Sequence, residues 1–489
     1  MWAADSLRAR FARGAVWSLI GTVISQALGL ATSVVTARFL GKTGFGELGM
    51  INSTVGMFGI FAGLGLGLTT TKFVAELRAT DSDRAGRIIG LSSTVAVISG
   101  GLITLGLILF APLLAASILH APHLVTELRI GSLLLLLNAL NGVQTGTLSG
   151  FEAFKSIAKA NFVQGLLTFP VEIGGVIIWG LPGAVWGMVV AAGSGWLVNR
   201  TYVLRECRAV GVRVRYAGVW SERRILWSFC LPAVLANTAA GPVMWFTNTM
   251  LVSQPHGYAE MGVLNAANQW RTAILFLPGL IGQVVLPLLS SLQGTQNRHA
   301  TRRILLGAIA LNAVFVSPAL LVIFFLKNRI MALYGPGFAS RGPVLMILAI
   351  VAALVAIQAP VGNIIAAMSR MWIGALMNLF WAIVLLVSAW LFLRRGWEAD
   401  GIAAAYLTAY LVLAIWTFWF AGRVLGGDGV ARLPHSIATE LTETTVETPP
   451  IWLPRTGLTR RSVTIAQSGH PGASKGLPLQ ASGTGDNSE

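Results

Sequence analysis

The chain reads as long apolar runs separated by short polar breaks. A helix that crosses a bilayer needs about 20 mostly apolar residues. Runs of that length fall near 14–37, 45–67, 88–110, 130–150, 157–179, 182–203, 225–252, 260–290, 303–326, 343–367, 371–393 and 401–422. Pro278 and Pro287 predict a break or kink in the eighth run, because proline removes a backbone donor and crowds the preceding turn. The pattern predicts an all-α polytopic membrane protein of about twelve transmembrane helices. From about Gly426 onward the pattern collapses into Thr, Ser, Pro and Gly, as in Glu443-Thr444-Thr445-Val446-Glu447-Thr448-Pro449-Pro450. Such a stretch buries too little apolar surface to fold alone, so 426–489 is predicted as a disordered tail.

A nine-residue phrase occurs twice. Gly44-Phe45-Gly46-Glu47-Leu48-Gly49-Met50-Ile51-Asn52 is echoed by Gly257-Tyr258-Ala259-Glu260-Met261-Gly262-Val263-Leu264-Asn265. Upstream of each lies a related opening, Val16-Trp17-Ser18 and Leu226-Trp227-Ser228. The repeat predicts two related halves in tandem, an organisation common in transporters with a site between the halves. The expected division is 1–203 and 225–425 for the two halves, 204–224 for the connection, and 426–489 for the tail.

Composition agrees with burial in lipid. Of 489 residues, 55% are hydrophobic and only 11% charged, against about 25% charged in soluble domains. The formal charge of +16 is therefore not read as a nucleic-acid footprint. Lys and Arg of polytopic proteins gather in cytoplasmic loops. Here they favour the N-terminal side and alternate loops, most densely from Arg200 to Arg224. Both termini and the basic 204–224 connection are thus expected in the cytoplasm. Arg8, Arg10 and Arg13 before an apolar run imitate a signal peptide, but the run is too long for its apolar core. Cys207 and Cys230 fall at or near the cytoplasmic side, where a structural disulfide is not expected. His120 and His123 supply two ligands only, which do not close a tetrahedral metal shell.

Polar residues inside the runs carry the chemistry. In the first run Ser18, Thr22, Ser25, Gly29, Thr32 and Thr36 share one helix face, with Gln26 and Ser33 beside it. This face suits close packing through small residues as well as the lining of a cavity. Gly59, Gly63 and Gly67 predict close helix packing in the second. In the seventh, which Pro232 and Pro242 bend, Asn237, Gly241 and Asn248 lie in a narrow arc, and Trp245 lies close by, able to stack on a sugar or simply to pack. In the eighth, Asn265, Asn268, Gln269, Arg271 and Thr272 span about 160° of a helical wheel. Arg271 lies roughly 17 Å into that run, where an arginine costs about 2.5–3.5 kcal/mol unless it meets water, a ligand or an acid. Glu172 is the deep carboxylate available for pairing. Arg38 and Lys72 end the first and follow the second run, as interface charges or site residues. Glu47 and Glu260, at the same repeat position, suit the dipole at a helix N-terminus.

Arg38-Phe39-Leu40-Gly41 followed by Gly44-Phe45-Gly46 resembles the opening of the polysaccharide biosynthesis (O-antigen flippase) family. That family belongs to the multidrug/oligosaccharidyl-lipid/polysaccharide exporter superfamily. Leu148-Ser149-Gly150-Phe151-Glu152 with Lys155, and Leu333-Tyr334-Gly335-Pro336-Gly337-Phe338, are similar to further stretches of it. The resemblance covers roughly 10–425. It implies two six-helix bundles related by a pseudo-twofold along the membrane normal, with a cavity opening alternately to each face. It implies a bacterial cytoplasmic (inner) membrane protein that moves a lipid-linked oligosaccharide, on an undecaprenyl-pyrophosphate-type carrier, for surface polysaccharide synthesis. The cavity would draw on Arg271, Asn268, Gln269, Asn265, Asn237, Asn248, Gln26, Arg38 and Lys72. Partners would be membrane lipids, a polysaccharide polymerase and chain-length machinery. No cofactor or metal is called for; coupling to an ion gradient or the membrane potential stays open.

Two other functions compete. A multidrug/cation antiporter would share the fold, but the first run holds no carboxylate and only Glu172 is deep. A membrane glycosyltransferase or polymerase usually needs a sizeable extracytoplasmic loop, whereas 111–129 carries only Glu127 and Arg129 as charges. No Ser-His-Asp set or phosphate-binding glycine loop is present, so the reading is a transporter and not an enzyme.

Overall fold

A computed structural model describes residues 2–231, 240–293, 298–367 and 371–426. The chain divides into two compact units, Met1–Gly429 and Val430–Glu489. The second lies outside the described residues, as does the predicted tail beyond Gly426. The first unit is all-helical. Its helices are α1 (Trp2–Gly63), α2 (Leu66–Leu77), α3 (Ser82–Leu113), α4 (Val125–Gly150), α5 (Phe154–Val210) and α6 (Ala240–Val252). They continue as α7 (Gly257–Gln293), α8 (Arg298–Ala332), α9 (Gly342–Ala367), α10 (Met371–Arg394) and α11 (Glu398–Gly426).

Among the described residues, eight stretches are long and apolar enough to cross a membrane. Two of them, Val23–Leu77 and Phe154–Val210, run for 55 and 57 residues. At 1.5 Å per residue each would measure roughly 80 Å, more than twice a hydrocarbon core. Neither is straight. Gly41 (φ 69°) breaks α1 and Gly180 (φ 61°) breaks α5, each in a left-handed region that glycine enters without a Cβ penalty. Both breaks fall in gaps between the predicted runs.

At Gly180 the chain folds back on itself. A Cβ on Gly175 would strike the Gly183 carbonyl, and one on Gly183 would strike the Gly175 carbonyl. Further along, Gly187 lies against Glu172 and Gly195 against Gln164. The two limbs of α5 therefore pack antiparallel through small residues, with backbones closer than any side chain permits.

The predicted second helix ends early. Leu64 (φ 44°) and Gly65 (φ 65°) are left-handed, so α1 stops at Gly63 and α2 begins a new direction. Lys72, expected beyond that helix, lies inside α2. Of the three glycines predicted to pack closely, only Gly67 does, 2.9 Å from the Gly142 carbonyl for a notional Cβ. Gly63 faces open space and Gly59 reaches only Leu135 at 3.9 Å. The register of α2 on α4 is sealed by Thr71, whose hydroxyl donates to the Gly146 carbonyl at 3.1 Å.

α3 begins where Asp81 accepts a hydrogen bond from the Arg84 amide at 2.9 Å, a side-chain cap for an otherwise orphaned donor. Its outward face carries Leu102, Leu105, Leu109 and Phe110, all exposed. α8 likewise exposes Leu321, Phe324 and Phe325. Apolar faces of this extent are stable against acyl chains, where a helix satisfies its own backbone.

α1 packs on α3, α4 and α5, and α2 on α4; α7 packs on α8 and α9, and α9 and α10 on α11. Between these sets α1 meets α6 and α7. The connection read as 204–224 is helical up to Val210 and then lies across the start of α3. Arg215 donates its backbone amide to the Gly86 carbonyl at 3.2 Å. Gly86 and Gly90 have no room for a Cβ beneath the Arg213 and Arg215 carbonyls. Glu222 holds Arg84 at 3.1 Å and Arg87 at 3.5 Å, and Arg215 pairs with Asp83 at 2.9 Å.

Candidate functional site: a closed joint and an arginine beyond it

The two copies of the repeated phrase lie against each other. A Cβ on Gly46 would strike the Tyr258 carbonyl and come within 2.8 Å of the Gly262 amide nitrogen. A Cβ on Gly262 would strike the Lys42 carbonyl. Gly49 faces the Asn265 side chain, whose Nδ2 lies 3.0 Å from a notional Cβ. Glycine is needed here because two backbones approach to contact distance.

Polar and aromatic contacts extend this joint. Arg38 Nε donates to the Leu333 carbonyl at 2.5 Å, and the Tyr258 hydroxyl donates to the Leu119 carbonyl at 2.8 Å. Phe45 packs on Tyr334 and Phe338, with ring centroids 6.1 and 6.4 Å apart. Ser33 and Trp270 gather round the buried Tyr334 hydroxyl, which burial pushes up to about 12. Glu260, 3% exposed, is held by Arg341 and by Lys42 at 3.7 Å. Arg341 also meets Glu398 and Asp400, each at 3.3 Å. Burial alone would lower the Arg341 pKa; Glu260, Glu398 and Asp400 outweigh it and raise it. Glu47 bonds His123 at 2.8 Å. The repeat-related carboxylates thus hold side-chain partners at the joint, beyond any role at a helix terminus.

Deeper along the same interface, Asn248 donates to Ser53 Oγ at 2.9 Å and Trp245 Nε1 to Thr54 Oγ1 at 3.0 Å. Trp245 is 4% exposed, so it packs and does not offer a face for stacking on a sugar. Arg38, Asn248 and Asn265 accordingly lie in the joint. Lys72 is exposed and sits over the Phe229 ring at 4.8 Å. Asn237 and Pro232 fall outside the described residues.

Arg271 lies six residues past Asn265 on α7, roughly 9 Å farther along the helix. It is half-buried. Its Nε donates to Asn268 Oδ1 at 2.7 Å, its guanidinium stands 5.6 Å from the Tyr406 ring centroid, and Tyr410 is beside it. No carboxylate pairs with it among the described residues, and Glu172 packs instead against Gly187 in the α5 hairpin. Gln269 is half-buried on the same helix. The tyrosines were missed because α11 reads as ordinary apolar helix; only the spacing of Tyr406 and Tyr410, one turn apart, marks a face. Gln26 is brought elsewhere, beside Asn161 and Gln164 in a cleft between α1 and α5.

Helices long and apolar enough to cross a membrane several times over, meeting at one tight joint, define a multi-pass membrane protein. A multidrug resistance transporter in an inward-facing conformation superposes with a TM-score of 0.71, at 16% identity, over 85% of this chain and 100% of that one. A lipid II flippase in an inward closed conformation superposes at 0.67, with 13% identity, over 88% and 94%. In sequence, the profile of the polysaccharide biosynthesis protein family matches residues 11–293. The chain belongs to that family. An exopolysaccharide (EPS I) export inner membrane protein of Ralstonia nicotianae is 30% identical over 40% of this chain and 44% of its own length. Its counterpart in Ralstonia solanacearum is 27% identical over 52% and 57%. A putative O-antigen transporter of Shigella flexneri is 23% identical over 58% and 67%. The chain spans about half the length of the two Ralstonia relatives it matches.

Proposed function

We propose that the protein is a flippase for a lipid-linked oligosaccharide, on a pyrophosphate-type polyprenyl carrier, in the cytoplasmic membrane of a bacterium. The observation that carries this is Arg271. A guanidinium inside a membrane protein, without a carboxylate, needs an anion or water to justify its cost. A pyrophosphate supplies the anion, and Asn268 holds Nε so that the rest of the planar fork is presented in one orientation. Membership of the polysaccharide biosynthesis family and the export role named for its relatives support the cargo class.

Transport goes by alternating access. The joint from Arg38 to Trp245 closes one face, assigned as periplasmic from the distribution of Lys and Arg, while cargo enters from the other. Coupling to an ion gradient or the membrane potential and docking to a polymerase are extensions of this reading. An antiporter of drugs and cations is disfavoured by the setting of Arg271, since an unpaired cation repels a cationic drug.

Arg271→Ala should abolish surface polysaccharide in a deletion strain while membrane protein level is kept. Arg271→Lys should retain part of the activity, supplying charge without the two-pronged geometry. Wild-type output from Arg271→Ala sinks the proposal. The assigned sides are checked with an impermeant thiol reagent on intact cells: it should label His123→Cys and spare Arg215→Cys.

A further inference from the structure

Away from Arg271, two cavities of about 380 and 550 Å³ open between α1, α2, α4 and α5. They share Asn161 and Gln164, so they form one cleft. Each is of a size that holds small-molecule groups, about 300–1,000 Å³. Its walls carry amides and hydroxyls, and among the described residues no charged side chain lines either cavity.

Part of that wall is fixed. Asn199 donates to Asn141 Oδ1 at 3.3 Å, and Asn141 donates to the Ala192 carbonyl at 3.1 Å. The other amides are uncommitted: Gln26, Asn138, Asn161 and Gln164 make no hydrogen bond to protein among the described residues. Gln26 and Asn138 are exposed and Asn161 and Gln164 half-buried, so these amides are open to whatever fills the cleft. An occupant that both donates and accepts can bond them in place of water. A carboxamide presents a donor and an acceptor side by side, which matches the donor–acceptor character of a sugar hydroxyl. A carboxylate or phosphate placed here would find no countercharge.

The α1 wall of the cleft leads on into the joint. Thr32 lines the cleft. The next residue, Ser33, faces Tyr334, which Trp270 also approaches, and Trp270 is the neighbour of Arg271. α1 thus both lines the cleft and packs on α7, the helix that carries Arg271.

We infer that this cleft is the glycan subsite, taking an uncharged sugar and discriminating against acidic ones. The inference rests on the flippase reading, with the anionic head at Arg271, and adds the class of sugar.

The test is binding to the full-length protein in detergent, by microscale thermophoresis, of three synthetic short-chain probes. They are prenyl pyrophosphate, prenyl pyrophosphoryl-N-acetylglucosamine and prenyl pyrophosphoryl-glucuronic acid. The N-acetylglucosamine conjugate should bind about tenfold tighter than bare prenyl pyrophosphate, and the glucuronyl conjugate should gain nothing. Asn161→Ala with Gln164→Ala should erase the tenfold gain while leaving the bare probe unchanged, which also reports an intact fold. If that double variant loses the bare probe too, Gly195→Ala decides. Its methyl would sit 2.8 Å from the Gln164 amide and should displace it, erasing the gain. A gain retained in the variant, or an equal gain for glucuronate, overturns the subsite. Failure of every probe on the wild type instead overturns the flippase reading beneath it.

Discussion

At the scale of single residues, Arg341 and Glu260 show how a charge is kept inside. Glu260 is nearly sealed from solvent, and Arg341 reaches it while also meeting Glu398 and Asp400. Removing one partner of a buried pair costs about 3–5 kcal/mol, because the other charge is stranded. Lys42 at 3.7 Å offsets part of this. Arg341→Gln should therefore lower the thermal midpoint of the detergent-solubilised protein, and Arg341→Lys should lower it less. An unchanged midpoint in Arg341→Gln removes the ion cluster from the account of stability. Arg271 presents the opposite case, a cation given amide and aromatic neighbours but no acid among the described residues. The sequence exposed its place on α7, since helical position follows from counting, although Gly257–Gln293 is not among the eight described stretches long and apolar enough to cross a membrane. It did not expose Tyr406 and Tyr410, because contacts between helices far apart in the chain depend on packing that no local period encodes.

At the scale of elements, apolar length was enough to place most helices, including the turns at Gly41 and Gly180. Run length and its interruption are local properties of the chain. The kink at Leu64–Gly65 was not legible, because leucine carries no local signal for a left-handed backbone. The basic connection was legible as a charge cluster, whereas its attachment to α3 was not. Gly86 and Gly90 look like ordinary helix glycines until the Arg213 and Arg215 carbonyls are laid on them. Glu222, bridging Arg84 and Arg87, fastens the far end of this strap. Glu222→Ala should release it. Trypsin added to inside-out vesicles should then cut at Arg213 and Arg215 several-fold faster than in wild type, and equal cleavage would show that the backbone contacts alone hold the strap.

At the scale of the molecule, the state described is closed at the joint, and the alternating access we propose requires that joint to part. Gly49 and Asn265 offer a direct check. A notional Cβ on Gly49 lies 3.3 Å from the Asn265 Cβ, close to the spacing of a disulfide, about 3.5–4.5 Å. Gly49→Cys with Asn265→Cys should cross-link on oxidation and stop polysaccharide export, with reductant restoring it. Cys207 and Cys230 are buried and should not interfere. Full export by the oxidised pair would mean that transport does not pass through separation at this level. The repeat marked two stretches of the chain as related; that the two copies would be each other's contact surface was outside the reach of the sequence.

That meeting has a consequence for how firmly the gate must hold. A surface whose partner is a near-copy of itself has the form of a homodimer interface. Two free subunits need enough affinity to find each other at cellular concentration. Two copies on one chain meet intramolecularly, at an effective concentration set by the chain that joins them and independent of how much protein the cell holds. The contact between Gly46 and Gly262 can therefore be individually feeble, too weak to assemble separate subunits, and still re-form after every opening. Tethering frees the interface from the demands of assembly and leaves its strength to be set by the rate at which it has to let go.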